Sequence, residues 1–222
     1  MVSEGIVRRY AADAGGFVPV GEHRLDPAFG PAELAGCLRE AAARAPDAPL
    51  ALELAVPFCW HRCAHCTCDI VVARDRTRAD AYLDRLGREL ALAADHLGPR
   101  RAVGSVFVGG GTPTFLDDAQ QDRLWRLWTA HFEPTRDATL TIAANPAVTS
   151  LPQIRHLRAV GYTHLVLGVH DLDDAVQAAI GRHQTYAQTR ACLDLARGVG
   201  FTGVTLDLVF GLPKQTPRSW AT

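Results

Sequence analysis

Four of the six cysteines, Cys59, Cys63, Cys66 and Cys68, crowd into ten residues just after a short apolar run, LALELAV, ends at Pro57. Proline cannot donate to a sheet ladder, so the run reads as a strand that stops there and gives way to a ligand-bearing loop. Cysteines this close can pair only with immediate neighbours, and nothing in the sequence points to export. Free thiolates in a reducing cytoplasm, acting as metal ligands, are the expected reading. The rest of the chain has to fold so that this loop is held at a strand end.

The N-terminal stretch MVSEGIVRRYAADAGG has no apolar core, so no signal peptide is read there. No run of 18 apolar residues occurs, and no membrane span is expected. The chain has 222 residues, 48% of them hydrophobic and 21% charged, which suits one large domain or two small ones with a sizeable core. A net charge of −1 gives no electrostatic basis for a nucleic-acid partner.

Residues 1–30 show no clear period and read as an irregular arm. A helix over 31–45 follows, with Leu34, Cys37, Leu38 and Ala41 at helical spacing. Strands are expected over 50–56, 103–108, 138–143, 163–169 and 204–210. Between them run helical patterns. The first, over 78–97, carries Tyr82, Leu83, Leu86, Leu90, Ala93 and Leu97, with Asp84–Arg88 and Arg85–Glu89 as pairs four apart. The next is capped by Asp117 or Asp118 and carries Leu124, Leu127, Trp128 and Phe132. Ser150 with Gln153 opens a short helix, Asp173 starts another, and Thr185 with Gln188 opens one bearing Cys192 and Ala196. Thr77 with Asp80 is read as a further capping pair.

Five strand–helix alternations predict an α/β fold with about five parallel strands, as a partial barrel or a doubly wound sheet. Residues 1–49 are expected to form an arm and helix, and 50–222 an incomplete barrel. Function in such folds sits at the C-terminal ends of the strands. The cysteine loop, the glycines at 109–111, Asn145, residues 168–170 and Asp207 are all expected there, on one rim.

Each constellation has a bland alternative. Cys59, Cys63 and Cys66 as C-x3-C-x2-C suit three irons of a [4Fe–4S] cube, leaving one iron open to an exogenous ligand. The same spacing admits zinc, with Cys68, His61 or His65 completing the set. Three glycines at 109–111 permit close backbone approach, whereas a plain strand-to-helix turn rarely needs three. Asp207 inside VTLDLVF requires a partner, either a ligand or a cation such as Arg182. His164 and His170 near the fourth strand read more readily as hydrogen-bonded structural residues than as catalysts. Trp125, Trp128 and Phe132 read as packing.

Beyond these readings, VPFCWHRCAHCTC resembles the cluster loop of radical S-adenosylmethionine (SAM) enzymes. More narrowly it resembles the oxygen-independent coproporphyrinogen III oxidase family, whose motif is I-P-F-C-x3-C-x2-C-x-C. VGGGTPTFL, LVLGVHDLDDAVQAAIGRHQ and VTLDLVFGLPKQT are similar to three further motifs of that family, in the same order. The resemblance implies a partial (β/α) radical SAM barrel with a [4Fe–4S] cluster on Cys59, Cys63 and Cys66. Cys68 matches a family cysteine that does not ligate iron. One or two SAM molecules are implied, with contacts carried over to Gly110, Gly111, Thr112, Arg182 and Asp207. A 5′-deoxyadenosyl radical would abstract hydrogen from the substrate, turning two propionates of coproporphyrinogen III into vinyl groups in haem biosynthesis. A small-molecule porphyrinogen substrate and an electron donor such as a flavodoxin or ferredoxin are the implied partners.

Several cofactor-facing positions depart from the family. Glu53 and Ala55 stand where it has Tyr and His, Ala143 replaces a SAM-binding Glu, His170 replaces Gln, and His65 replaces an aromatic. The N-terminal R-Y-T-S-Y-P element survives only as Gly15-Gly16-Phe17-Val18-Pro19. The family runs about twice as far, so the last barrel strand and a C-terminal helical domain are expected to be missing. These departures keep two alternatives in view: a radical SAM methyltransferase-like enzyme acting on another substrate, and a non-catalytic cluster- or haem-binding remnant.

Overall fold

The computed structural model describes residues 29–220; the expected arm over 1–28, with the Gly15–Pro19 element, lies outside them. The elements run α1 (Pro31–Arg44), β1 (Leu50–Val56), β2 (Phe58–Cys59), β3 (Val71–Val72), α2 (Arg78–Leu97), β4 (Ala102–Gly110), a 3-10 turn (Pro113–Phe115), α3 (Asp118–Thr129), β5 (Glu133–Ala144), α4 (Leu151–Val160), β6 (His164–His170), α5 (Asp174–Ala179), α6 (Tyr186–Gly198), β7 (Gly203–Leu208) and α7 (Pro217–Trp220). Five strands form one sheet in the order β1-β4-β5-β6-β7, every neighbour parallel. The architecture is a partial (β/α) barrel.

Side chains alternate across each strand, and the two faces have different tasks. Leu54 and Val56 of β1, Val106 and Val108 of β4, Ile142 of β5 and Leu165 and Leu167 of β6 point to the helices and are buried. They meet Leu83, Leu86 and Leu90 of α2, Leu124 and Trp128 of α3, and Ile154 and Leu157 of α4 in one continuous core. Each fully buried aliphatic side chain there contributes roughly 1.5–3 kcal/mol. The opposite face carries Glu53, Ala55, Thr141, Ala143 and Gly168, none of them buried. Phe107 and Val166 share that face, but its mostly small and polar residues leave a concavity instead of a packed barrel centre.

Local chemistry explains where several elements differ from expectation. Thr77 does not cap α2 with its side chain. Asp75 takes that place, accepting from Thr77 N at 2.9 Å and Thr77 Oγ1 at 2.6 Å. Ala94, not Ala93, faces the core. Asp84 pairs with Arg123 of α3 and not along its own helix, because α2 and α3 pack side by side. Ser150 accepts from Gln153 N at 3.3 Å, but the Gln153 amide does not return to close a box. It donates to Thr114 O at 2.9 Å and Leu116 O at 2.8 Å, tying α4 to the turn before α3. The Asp117–Gln120 and Thr185–Gln188 boxes form as expected.

At one border of the sheet, β7 exposes Leu206 at 41% and Leu208 at 52%, and Phe210 just beyond it at 86%, an uncovered apolar edge. α1 packs on α2, with Leu38 and Ala42 against the core and Arg100 donating to Ala41 O and Ala48 O.

Candidate metal centre and cofactor cavity

Because all five strands are parallel, their C-terminal ends open on one side, and a cavity of about 480 Å³ lies there. Cys59, Cys63 and Cys66 line it, together with Gly110, Gly111, Thr112, Arg182, Asp207, Glu53, His65, Ala143 and His170. Cys68 and Asn145 are also in the wall. The structure thus gathers onto one surface every cofactor and metal residue read from the sequence. His164 is not among them. It opens β6 at the far end of the strand, its Nδ1 2.9 Å from Thr163 Oγ1, and its ring lies where a Gly203 Cβ would meet it at 2.3 Å.

The cysteine loop is less irregular than its sequence suggests. Phe58–Cys59 pairs with Val71–Val72, and Ala73 N donates to Cys59 O at 3.0 Å. Cys66 N donates to Cys63 O at 3.1 Å, and Ala64 N to Ile180 O at 3.0 Å, which pins the loop to the end of α5. The glycines seat it from the other side. Gly110 has φ +93°, a backbone conformation that side chains rarely adopt. Gly111 N donates to Val56 O at 2.8 Å and Thr112 N to Phe58 O at 2.9 Å. A Cβ on Gly111 would lie 2.8 Å from Phe58 O and 2.9 Å from Pro57 C. The close approach inferred for these glycines is therefore to the cysteine loop itself.

Burial pushes the Cys59 thiol up, a Thr112 hydrogen bond opposes this, and the neighbouring Cys66 and Cys63 thiols raise it further. Burial also raises Cys68, with Cys66 and Asp69 adding to it. Thiols that disfavour one another's ionisation suit a cationic centre, which would hold them as thiolates. Among the described residues no group of three or more His, Cys, Asp or Glu side chains is gathered to hold a single ion. A closed zinc site needs four ligands on one point. Cysteines set round a shared cavity fit a multi-iron cluster, in which each thiolate meets a different iron.

Arg182 organises the wall beside Cys63. It is 5% exposed, and its Nη2 reaches Gly168 O at 2.6 Å, Gln184 Oε1 at 2.6 Å and Asn145 Oδ1 at 2.9 Å, while Nη1 lies 3.9 Å from Cys63 Sγ. Burial lowers its pKa, partly offset by Cys63. Of the two partners open to Asp207, a ligand or a cation such as Arg182, the ion pair with Arg182 does not form. Asp207 sits on the edge strand β7, is exposed, and lines the cavity. Gln184 and Thr189, 2.8 Å apart, complete the Arg182 network; Gln184 closes the LVLGVHDLDDAVQAAIGRHQ segment without a role read from it, and Thr189 lies outside every quoted motif. Only their position after a buried arginine marks them.

His65 and His170 meet edge to face, ring centroids 4.6 Å apart. Burial, Arg182 and His65 bring His170 down to about 3, and burial and Arg182 lower His65. Both rings are neutral as a result, and both Nδ1 atoms are buried without a protein partner, as is Arg182 Nε. Orphaned polar atoms beside a cavity mark where a polar ligand is wanted. His170 also holds φ +69° at a bulge in β6, with its carbonyl fixed by Val209 N at 2.9 Å. Non-glycine residues in that region cluster at functional sites.

Residues 55–222 match the sequence profile of the Radical SAM superfamily. The chain is 41% identical over 182 residues to the oxygen-independent coproporphyrinogen III oxidase of Escherichia coli strain K12, covering 82% of this chain and 40% of that protein. Its likeness to the Pseudomonas aeruginosa protein of the same name is 37% over 195 residues, covering 87% and 42%. The chain thus spans about 40% of the length of these curated relatives. A solved coproporphyrinogen III oxidase from Escherichia coli, described as a radical SAM enzyme, superposes with a TM-score of 0.80 at 39% identity, covering 87% of this chain and 43% of that one. The radical SAM methyltransferase TsrM from Kitasatospora setae shares the fold at a TM-score of 0.51 and 17% identity. Radical SAM enzymes bind a [4Fe–4S] cluster and SAM, and the chemistry of this cavity, with three cysteine thiols and buried polar atoms lacking a protein partner, fits such groups. On sequence, fold and site chemistry together, this chain belongs to the radical SAM superfamily.

Proposed function

We propose that the chain is a radical SAM oxidoreductase of the oxygen-independent coproporphyrinogen III oxidase type, acting on propionate side chains of a porphyrinogen. The observation that carries this reading is the convergence of Cys59, Cys63 and Cys66 with Gly110–Thr112, Arg182 and Asp207 on one cavity. When bound, the cluster and SAM supply a reductively generated carbon radical that takes hydrogen from the substrate. The chain's own residues bind and orient. Cys59, Cys63 and Cys66 hold the cluster. The 109–112 turn presses the cysteine loop into place. Arg182, whose Nε is buried without a protein partner, locks the ends of β5 and β6, and Asp207 offers an unpaired carboxylate for a hydroxyl or ammonium group. The barrel part lies within residues 50–222 in this reading, and helix α1 packs against it through Leu38 and Ala42. An electron donor of the flavodoxin or ferredoxin kind completes the system.

The test is anaerobic incubation of reconstituted protein with SAM, a reductant and coproporphyrinogen III. Vinyl products with 5′-deoxyadenosine are expected. A second reading, radical chemistry on another substrate, is favoured by one observation: Glu53, His65, Ala143 and His170, which depart from the coproporphyrinogen oxidase pattern, all face the cavity. Formation of 5′-deoxyadenosine without vinyl products selects that second reading. Absence of 5′-deoxyadenosine from cluster-loaded protein contradicts both.

A further inference from the structure

We propose that Asp171 and Gln215 are a pair of positioning residues, a clamp across the ends of β6 and β7 that sets how His170 and Asp207 meet a ligand in the cavity; this rests on the radical SAM reading of that cavity. Neither member of the pair lines the cavity. His170 and Asp207 do, one at the end of β6 and the other near the end of β7.

Asp171 follows β6 directly and is only 3% exposed, so its carboxylate needs hydrogen-bond donors. Oδ1 accepts from Asp173 N at 2.7 Å, and Oδ2 accepts from Gln215 Nε2 at 2.6 Å. The Gln215 amide is used in full. Nε2 also donates to Val209 O at 3.0 Å, and Oε1 accepts from Gly211 N at 2.6 Å and Leu212 N at 3.3 Å. Two bonds given by one end and two accepted by the other are what a side-chain amide supplies. A glutamate in its place would set a second carboxylate against Asp171 and against the Val209 carbonyl.

These bonds converge on His170. Its φ of +69° is one that side chains rarely adopt, and it persists where the surroundings impose it. Val209 N donates to His170 O at 2.9 Å, while Gln177 Nε2 donates to Val169 O at 3.0 Å and to Asp171 O. Three successive carbonyls are thus fixed, the middle one by Val209, whose own carbonyl Gln215 holds. β7 has β6 on one side and, among the described residues, no strand on the other. Edge elements with few partners open most readily, so the geometry of the rim depends on ties of this kind. Leu212 anchors the same loop separately, buried against Val176 and Ile180. Loss of the clamp is therefore expected to loosen the rim without unfolding it.

The experiment compares cluster-loaded wild type, Asp171→Asn, Gln215→Glu and the double variant carrying both, with SAM as the probe. Iron and sulfide content and melting temperature are read first. SAM affinity is then measured by calorimetry, and the electron paramagnetic resonance of the reduced cluster is recorded with and without SAM. Iron and sulfide equal to wild type are expected in all four proteins, with SAM affinity lowered on the order of tenfold in each single variant. In the double variant the amide stands at 171 and the carboxylate at 215, so the bond between the two positions re-forms. Affinity is expected to recover roughly threefold or more over Gln215→Glu, and the SAM-induced change in the resonance to return with it. Single variants that bind SAM as the wild type does, or a double variant no better than Gln215→Glu, would overturn the clamp. Loss of iron in step with SAM affinity would reduce the pair to a structural brace and overturn the positioning role. A wild-type chain that loads no cluster, or a loaded one that binds no SAM, would overturn the radical SAM reading itself, and this inference with it.

Discussion

At the scale of single residues, the site depends on atoms with no room to move. Gly111 is the sharpest case, because a methyl group there would press into backbone and not into a flexible side chain. Gly111→Ala is expected to cost about 1–3 kcal/mol in thermal or urea unfolding, the usual range for overpacking. It is also expected to speed loss of iron to a chelator, since the displaced segment carries Cys59. Tyr162 offers the opposite test. Its hydroxyl is fully buried with no partner, and burial raises its pKa above the ordinary value of 10. Below pH 10 folded and unfolded chains both keep the phenolic proton. Above it the unfolded chain releases the proton and the folded chain does not, so stability falls as pH rises. Tyr162→Phe is expected to be neutral or stabilising by about 1 kcal/mol at pH 7 and to weaken the alkaline loss, as read by melting curves across pH 7–11.

At the scale of elements, capping and pairing decide where strands and helices stop. Asp117 accepts from Gln120 N at 2.9 Å, and Gln120 Oε1 accepts from Asp117 N at 3.2 Å, closing both ends of the box at the start of α3. Asp117→Ala is expected to destabilise by about 1 kcal/mol in chemical denaturation, with no change in cluster content. Such boxes are local in sequence, which is why the starts of α3 and α6 are legible there. The bounds of β1 and α2 follow equally from apolar period and flanking Pro or Gly. What is not legible depends on partners far along the chain. The short β2–β3 ladder joins residues on either side of the cysteine loop. β5 begins at Glu133, earlier than its apolar run, because Ala102 and Val103 pair with Glu133 and Pro134 before a bulge. Gln153 leaves its box for carbonyls nearly forty residues away. Within the site, cysteines, glycines and Asp207 announce themselves by type and strand-end position. The His65–His170 contact and the Gln184 support of Arg182 emerge only once β6 and the cysteine loop face each other.

At the scale of the whole molecule, a parallel sheet with its C-terminal ends on one side turns scattered motifs into one cavity. The helices cover only the outer face, and among the described residues no helix is long and apolar enough to cross a membrane. The inner face stays open because most of its residues are small or polar, with Phe107 and Val166 the larger apolar ones, and β7 leaves an apolar border. All of this architecture is arranged about the cysteine loop, so what that loop holds decides the chemistry of the cavity. The direct measurement is anaerobic reconstitution with iron and sulfide, followed by metal and sulfide analysis and electron paramagnetic resonance after reduction, on the wild type and on Cys59→Ala, Cys63→Ala, Cys66→Ala and Cys68→Ala. The predicted result is about four irons and four sulfides per chain for the wild type and Cys68→Ala, and loss of the cluster in each of the other three. Stable binding of a single zinc ion with no sulfide, or loss of the cluster in Cys68→Ala equal to that in the other variants, would contradict it.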